Sequence, residues 1–403
     1  MISSIHNQKR ALLKIPDKIG KSLVQLFRSR HLDICEPMFL VALTLYEIAS
    51  LVGITALSST NDIVPKIITI LRYTSFSLVT LKCLLMKRPC FNDGIQYCLV
   101  LMAGLICAEH SGDMKILDLA IMVVGANGVD YRKICKVTLI VSLATIALAA
   151  LSSILGFVPN ESVTMLSSSG EVRVRNAFGF ISQNGLGAVC FTAFLSCYIG
   201  NLNSKKALTI IVAIVTCLVL IYVVDTRTAA YAIAILTFFW IANRFLKART
   251  IVVLSALVCL MSLMFGLILP FIYDANSALM TSIDGWLSGR ISCADWFIRN
   301  NGISLIGQEI DFLSTQEAAS LGLTASVLDN AYIHLLVHFG VVGLLVVNLV
   351  YLRIFLSASS HGRPFICLVV ATIYVVGMLE TWFFMPYIVV APFLLFSKMK
   401  IGN

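Results

Sequence analysis

Twelve apolar runs, separated by short polar connections, account for most of this 403-residue chain. A helix needs about 20 mostly apolar residues to cross the hydrocarbon core of a bilayer, and most of the runs come near this length. The pattern predicts an all-α polytopic membrane protein with about 12 transmembrane helices. The predicted spans cover residues 37–59, 63–86, 94–109, 114–129, 137–158, 179–200, 207–224, 228–243, 250–272, 331–352, 364–380 and 382–397.

One long polar interruption divides this pattern between the ninth and tenth spans. The predicted organisation is a basic N-terminal segment, nine spans, one large loop, three spans and a short tail. These parts cover residues 1–33, 34–272, 273–330, 331–397 and 398–403. Because the surrounding sequence serves to anchor the chain in a membrane, the interruption is where we expect the chemistry.

Within the loop, the segment from Ser288 to Arg299 predicts a short amphipathic helix. Ile291, Ala294 and Phe297 recur at helical spacing near one face of this segment. Such a helix would lie at the membrane surface and bring its polar residues to the outer ends of the spans.

Composition excludes several classes of protein. Hydrophobic residues make up 59% of the chain and charged residues 13%, which is far from the values of soluble domains. The net charge of +9 does not indicate nucleic-acid binding, because the lysines and arginines lie in short clusters between apolar runs. The 12 cysteines form no C-x-x-C pair, so the sequence predicts no metal site and no other cofactor.

The basic clusters also predict the orientation. Most of the 30 lysines and arginines fall in alternate connections, starting with the N-terminal segment. Cytoplasmic connections are rich in lysine and arginine, so both chain termini are predicted to be cytoplasmic and the long loop to lie outside.

A small set of arginines opposes this bias. These outward residues are Arg173, Arg175, Arg227, Arg290 and Arg299. A guanidinium group presents forked donors that suit phosphate oxygens. We therefore expect a site for a negatively charged ligand at the outer leaflet, and a lipid-linked pyrophosphate is the natural candidate. The alternatives that need no ligand are that Asp225 only neutralises Arg227, and that Glu171 pairs with Arg173 or Arg175.

The exit from the long loop carries further polar residues. Asp329 stands at the outer mouth of the tenth span, where a carboxylate near arginines is suited to act as a general base towards a sugar hydroxyl. The alternative is that Asp329 and Asn330 cap the following helix. Tyr332 and His334 are candidate substrate contacts. Glu380 is a functional candidate as an acid in an apolar segment, or else the partner of one arginine.

These segments, in this order, resemble the bacterial O-antigen polymerase and O-antigen ligase superfamily, and more closely its polymerases of the Wzy type. The resemblance covers about residues 150–390. It is carried by Asn176–Phe180 with Asn184–Gly187, by Thr226–Tyr231, by Ser288–Arg290, by Asp329–Tyr332 with Gly340–Gly343, and by Glu380 near the last hairpin.

The resemblance implies a metal-independent membrane glycosyltransferase of GT-C-like fold in the bacterial inner membrane, with its active site on the outer face. Its donor would be a glycan on undecaprenyl or another polyprenyl pyrophosphate, with a flippase and a chain-length regulator as partner proteins. Arg227 matches the ligase arginine that follows a short outer turn. Asp329 stands where ligases carry a histidine, which favours a polymerase.

Two rival functions remain open from sequence. A ligase would move finished glycan onto lipid A core or onto a protein. A flippase or another transporter is also commonly built from about a dozen spans, but its ligand site should carry paired charges near the midplane. We saw no such set in the sequence, and the outer arginines therefore favour an enzyme.

Overall fold

The computed structural model describes residues 34–86, 91–160, 162–166, 172–200, 206–242, 245–313 and 327–398. These residues are mostly helical, and the predicted all-α membrane class is confirmed. The helices are α1 Ile34–Gly53, α2 Ile63–Leu85, α3 Phe91–Ser111, α4 Lys115–Gly125, α5 Tyr131–Ile154, α6 Gln183–Gly200, α7 Lys206–Val219, α8 Arg227–Ala242, α9 Ala248–Phe271, α10 Ala278–Trp286, α11 Arg290–Asn301, α12 Ala331–His338, α13 Gly340–Ser360 and α14 Pro364–Gly377.

Among the described residues, six helices are long and apolar enough to cross a membrane. They are α1, α2, α3, α5, α9 and α13. The prediction of about 12 such helices is therefore not met. The predicted span at 114–129 contains only the short helix α4, and the one at 382–397 contains two 3₁₀ turns, Thr381–Phe384 and Ala391–Leu395. Their hydropathy predicted spans because segments buried inside a protein are as apolar as segments that face lipid.

Helix α14 illustrates this difference. It has 14 residues, which at 1.5 Å per residue gives roughly 21 Å, well short of the hydrocarbon thickness. Nearly all of its side chains are buried, and its neighbours include α8, α9 and α13. In contrast, α9 exposes large apolar side chains along much of its length, among them Leu257, Leu260 and Phe265, as expected for a helix that faces lipid.

The predicted tenth span is broken in the middle. Helix α12 ends at His338. Gly340, the first residue of α13, has a φ of +76°. A side chain at Gly340 would meet the backbone of Leu305 and Gly307 within 2.7 Å, so only glycine permits this approach of the long loop. The loop is thereby packed into the break between α12 and α13.

The described part of the long loop contains two helices, α10 and α11. The predicted amphipathic helix is confirmed as α11, and Ile291, Ala294 and Phe297 are its buried residues. Ala294 and Phe297 pack with Leu328, Ile333 and Val337 at the start of the broken span. The loop is therefore attached to the membrane helices by its own small apolar core.

A β-hairpin lies between α5 and α6. Strands β1 Ser162–Leu166 and β2 Val172–Asn176 pair in antiparallel register, with Val163 opposite Arg175. Arg173 and Arg175 thus lie at alternate positions of strand β2. The backbone then returns to the helices through hydrogen bonds from Ala56 to Gly179 and from Ile181 to Ile54.

Connections between helices gather at two ends of the molecule. At one end, here called the site face, residues 54–56, 177–182, 225–227, 327–330 and 378–380 are joined by hydrogen bonds or ion pairs, or line one cavity. At the other end, the backbone of Lys398 donates to Val129, and Lys133 pairs with Glu36 at 3.2 Å.

Candidate functional site

The centre of the site face is an arginine shared by two carboxylates. Arg290 Nη2 lies 3.3 Å from Glu380 Oε1 and 3.4 Å from Asp329 Oδ2. Arg290 is the first residue of α11, and Asp329 directly precedes Asn330, the cap of α12. Glu380 lies in the connection after α14. The side chain of Glu380 is only 4% exposed, whereas that of Asp329 is 31% exposed. One positive charge thus serves two acids, of which Asp329 is the more accessible.

Local structure at the start of α11 explains where Arg290 points. Ser288 and Gly289 both have positive φ angles, so the chain turns sharply between α10 and α11. The carboxylate of Asp284 accepts hydrogen bonds from the backbone N–H groups of Ile291, at 2.8 Å, and Ser292, at 3.1 Å. It thereby acts as the N-terminal cap of α11 and fixes the residue in the first position, Arg290.

Glu380 follows α14 in extended conformation, past the helix end at Gly377. Burial and the nearby negative charge of Asp329 raise its pKa to about 8, although Arg290 acts in the opposite direction. The hydroxyl of Thr228, in the first turn of α8, also favours its charged form. The sequence-based alternative that Glu380 pairs with an arginine is borne out by the contact with Arg290.

Asp329 precedes the cap residue of α12. Its carboxylate bonds to Arg290, whereas the cap is Asn330, whose Oδ1 accepts from the backbone N–H of Tyr332 at 3.0 Å. Burial raises the pKa of Asp329, and the positive charge of Arg290 opposes this shift. A carboxylate whose pKa is raised towards neutrality is a stronger base than an exposed one.

Arg175 enters the site from strand β2. Its Nη2 donates to the backbone carbonyl of Asp225 at 2.9 Å, and its Nε lies 3.8 Å from the Asp225 carboxylate. The turn that presents Asp225 is tight: a side chain at Gly187 of α6 would meet Thr226 at 2.4 Å. Arg175 is therefore held against the turn between α7 and α8.

Arg227 begins α8 and is half-exposed. Its Nε lies 3.6 Å from Asp225 Oδ1, which is the neutralising pair considered from sequence. Asp225 thus joins Arg175 and Arg227 in one cluster. The side chain of Arg173 lies outside the described residues, and Arg299 is exposed and paired with Asp295 of its own helix at 2.7 Å.

A cavity of about 460 Å³ opens among these groups, and we call it the main cavity. Arg175, Asp329 and Glu380 all line it, beside polar groups of the α6 start and aromatic groups of the last segment. The other lining residues are Ile54, Ile181, Ser182, Gln183, Asn184, Gly185, Ala188, Val327, Thr381, Trp382, Met385, Tyr387 and Ile388. A positive group and two acids therefore face one space large enough for a small ligand.

The other predicted substrate contacts, Asn330, Tyr332 and His334, are packed against neighbouring helices or loop residues. The side-chain amide of Asn330 donates to the Gly266 carbonyl at 2.8 Å, and the Tyr332 hydroxyl donates to the Tyr374 carbonyl at 2.6 Å. Tyr332 is fully buried. His334 is buried as well and stacks on Phe312 with ring centroids 4.7 Å apart. None of the three lines the main cavity, so their geometry supports packing roles.

Several residues of the site were missed from sequence. Asp225 was considered only as the neighbour of Arg227, although it also holds Arg175. Asp284 was not considered, because its helix cap acts across a turn of left-handed residues rather than at the usual spacing. In the polar stretch Ser182–Gly185 at the start of α6, the resemblance included only Asn184 and Gly185, and Ser182 and Gln183 were missed.

A second polar cluster lies among α1, α2 and α4. Arg72 of α2 forms an ion pair with Asp118 of α4, and Tyr46 donates to Asp118 at 3.4 Å. Lys115 pairs with Asp113 at 2.6 Å. These pairs border a cavity of about 210 Å³, here called the smaller cavity. Sequence reasoning missed the Arg72–Asp118 pair, because its partners come from two different helices.

Within the described part of the chain, no three His, Cys, Asp or Glu side chains are grouped in a way that suits a metal ion. No protein-family model, curated protein or solved structure matches this chain. Its function must therefore be argued from the site itself.

Proposed function

We propose that the protein is a membrane glycosyltransferase that polymerises glycan repeat units carried on polyprenyl pyrophosphate. The observation that carries this proposal is the shared ion pair: Arg290 lies between Asp329 and Glu380, and both of these acids line the main cavity together with Arg175. Transfer from a pyrophosphate requires cations for the leaving group and a base for the incoming hydroxyl, and the site contains both residue types.

The proposed step can be written with full atom balance. The hydroxyl oxygen of the acceptor sugar bonds to the anomeric carbon of the donor, and the bond from that carbon to the pyrophosphate oxygen breaks. Asp329 accepts the hydroxyl proton, and polyprenyl pyrophosphate leaves with the bonding electron pair. Arg175 and Arg290 offset the negative charge on the leaving group, with Arg227 beside them and Arg173 as a further candidate.

Fixed cations at this place would act mainly on the transition state. Negative charge grows on the leaving oxygen as the bond breaks, so preorganised donors lower the barrier more than they tighten substrate binding. Glu380, whose pKa is raised by burial and by Asp329, would share a proton with this base. Asn330, Tyr332 and His334 would support this arrangement from the helix packed beneath it.

An apolar groove supports a lipid-linked substrate. It has a volume of about 480 Å³ and lies among α9, α13 and α14, with Leu260, Leu345 and Val370 among its lining residues. Tyr374 also lines it, six residues before Glu380 in the chain. A polyprenyl chain in this groove would lie along the same helix that leads to the site.

The orientation is part of the proposal. With the N-terminal segment in the cytoplasm of a bacterial cell, the site face lies outside the inner membrane, where repeat units arrive after a flippase has moved them. Reporter fusions test this: a fusion after residue 247 should report the cytoplasm and one after residue 310 the outside. Fusions that report the reverse would overturn the proposed orientation.

The activity is tested with purified protein in nanodiscs and polyprenyl-pyrophosphate-linked repeat units. We expect glycan ladders and released polyprenyl pyrophosphate. Arg290→Gln should slow transfer by about 100- to 1000-fold, by analogy with the loss of one oxyanion donor. Arg299→Gln, which removes an exposed arginine from the same helix, is the matched control and should transfer normally. Absence of products with the unmodified protein would overturn the proposal.

The ligase alternative differs only in its acceptor. Loss of a polymerase leaves single repeat units on their final acceptor, whereas loss of a ligase leaves long chains on the polyprenyl carrier. The glycan profile of a deletion strain distinguishes the two. The aspartate at position 329 is the feature that favours the polymerase.

A transporter of lipid-linked oligosaccharide is the second candidate, because the Arg72–Asp118 pair joins the membrane helix α2 to the short helix α4. Charged pairs among packed membrane helices are typical of transport pathways. Proteoliposomes loaded with labelled lipid-linked glycan test this function. Movement of the intact lipid across the bilayer, without covalent change, would favour the transporter over the enzyme.

A further inference from the structure

The smaller cavity adjoins the main cavity. Tyr387 lines both of them, and the neighbouring residues Gly53 and Ile54 line one each. The two spaces are therefore separated by one aromatic side chain and a short length of α1 and its following turn. A ligand in the smaller cavity would have one end close to the contents of the main cavity.

Chemically, the smaller cavity is unlike a packed membrane interior. Arg72, Lys115, Asp113 and Asp118 all border its space of about 210 Å³. The cations and the carboxylates are already paired with one another. A net charge on a ligand would therefore find no unpaired charge of opposite sign among these residues.

Two polar atoms in this ion pair nevertheless lack a partner among the described residues. They are Asp118 Oδ1, an acceptor, and Arg72 Nε, a donor, and both are buried. The side chain of Asp118 is only 5% exposed. Buried polar atoms are costly when left unsatisfied, so an adjacent donor and acceptor suggest a ligand that supplies both kinds of bond.

We propose that the smaller cavity binds the terminal sugar of the acceptor glycan, as an uncharged ring held through its hydroxyl groups. Each hydroxyl is both donor and acceptor, which matches the unpaired Arg72 and Asp118 atoms. The inference rests on the proposed transferase, because such an enzyme must hold two glycans at once. Arg175, with Arg290 beside the main cavity's two acids, holds the donor, and Tyr387 separates the two sugars.

The test uses soluble, tagged repeat-unit oligosaccharide as acceptor and labelled lipid-linked repeat unit as donor. Two variants change the smaller cavity in different ways. Arg72→Gln combined with Asp118→Asn replaces the ion pair by neutral amides. Gly53→Leu fills the space, since a side chain there meets only Ile68, at 3.9 Å. Gly285→Leu is the matched control, because nothing lies within 4 Å of that position.

We expect the KM for the acceptor to rise at least tenfold in both variants, with donor KM and donor hydrolysis by water unchanged. The Gly285→Leu control should match the unmodified protein in every measurement. An unchanged acceptor KM in Gly53→Leu overturns the subsite, and so does an equal rise in donor and acceptor KM.

Failure of the proposed function looks different from failure of the subsite. If the unmodified protein neither transfers nor hydrolyses the donor, the transferase and the subsite fall together. If transfer proceeds and depends on Arg290, but both smaller-cavity variants bind acceptor normally, only the subsite is overturned.

Discussion

The two cavities on the site face use the same kinds of charged residue but balance them differently. In the smaller cavity, Arg72 pairs with Asp118 and Lys115 pairs with Asp113, one cation for each acid. At the main cavity, Arg290 alone bridges Asp329 and Glu380. The first arrangement gives each acid its own cation, although burial raises the pKa of Asp118 to about 6. The second arrangement leaves one acid more than the positive charge that bridges them.

This difference assigns the roles. Balanced pairs suit recognition, because they offer directional bonds without changing charge. An unbalanced cluster suits proton transfer. Asp329 raises the pKa of Glu380, so a proton can move between the acids at neutral pH. Accessibility points the same way, since Asp329 faces the main cavity and Asp118 is almost fully buried.

The largest effect should follow from neutralising the proposed base. Asp329→Asn removes the proton acceptor while keeping shape, and we expect glycan transfer to fall by about 100- to 10,000-fold. Initial rates with lipid-linked donor measure this loss. Asp295→Asn, an exposed acid of the same loop, is the control and should retain full activity. Comparable rates in both variants would remove Asp329 from the mechanism.

Packing beneath the main cavity should matter for stability. A side chain at Gly266 of α9 would meet the Tyr332 ring at 2.3 Å, and this ring supports the start of α12. Gly266→Ala should lower the free energy of unfolding by about 1–3 kcal/mol through overpacking. Thermal unfolding in detergent measures the change, with Gly285→Ala, which has open space, as the control. Equal melting temperatures would contradict the packing described.

A smaller effect should come from the cap of α11. Asp284→Ala removes the acceptor for two backbone N–H groups, at a cost of about 1 kcal/mol, and lets Arg290 move. We expect transfer to fall several-fold with little change in donor KM. Asp284→Asn keeps an acceptor oxygen and should restore the rate. If Asn fails to restore it while the fold is intact, Asp284 does not act by positioning Arg290.

The sequence predicted the class of fold and the polar connections of the site face better than it predicted the number of spans. Helix α11 followed from periodicity, which is a local property. Helix α14 was misjudged as a full span, because apolar sequence does not distinguish a helix facing lipid from one surrounded by protein.

The site itself was only half accessible to sequence reasoning. Arg290, Asp329 and Glu380 were candidates because charge is expensive in apolar surroundings. Which arginine would lie between the two acids was not predictable. It depends on how α11, α12 and α14 pack, and those contacts join residues far apart in the chain. The pairing of Arg72 with Asp118 has the same origin, because the partners are 46 positions apart in the chain.

The most direct measurement is the pH dependence of glycan transfer in the unmodified protein and in Arg290→Gln. Burial and Asp329 raise the pKa of Glu380 to about 8, and Arg290 lowers the pKa of both acids. Transfer should therefore increase with pH as the acid pair loses its proton. Removing the positive charge makes that loss harder, so the rising limb should move to higher pH in Arg290→Gln. A limb that stays in place or moves to lower pH would contradict the shared-proton site.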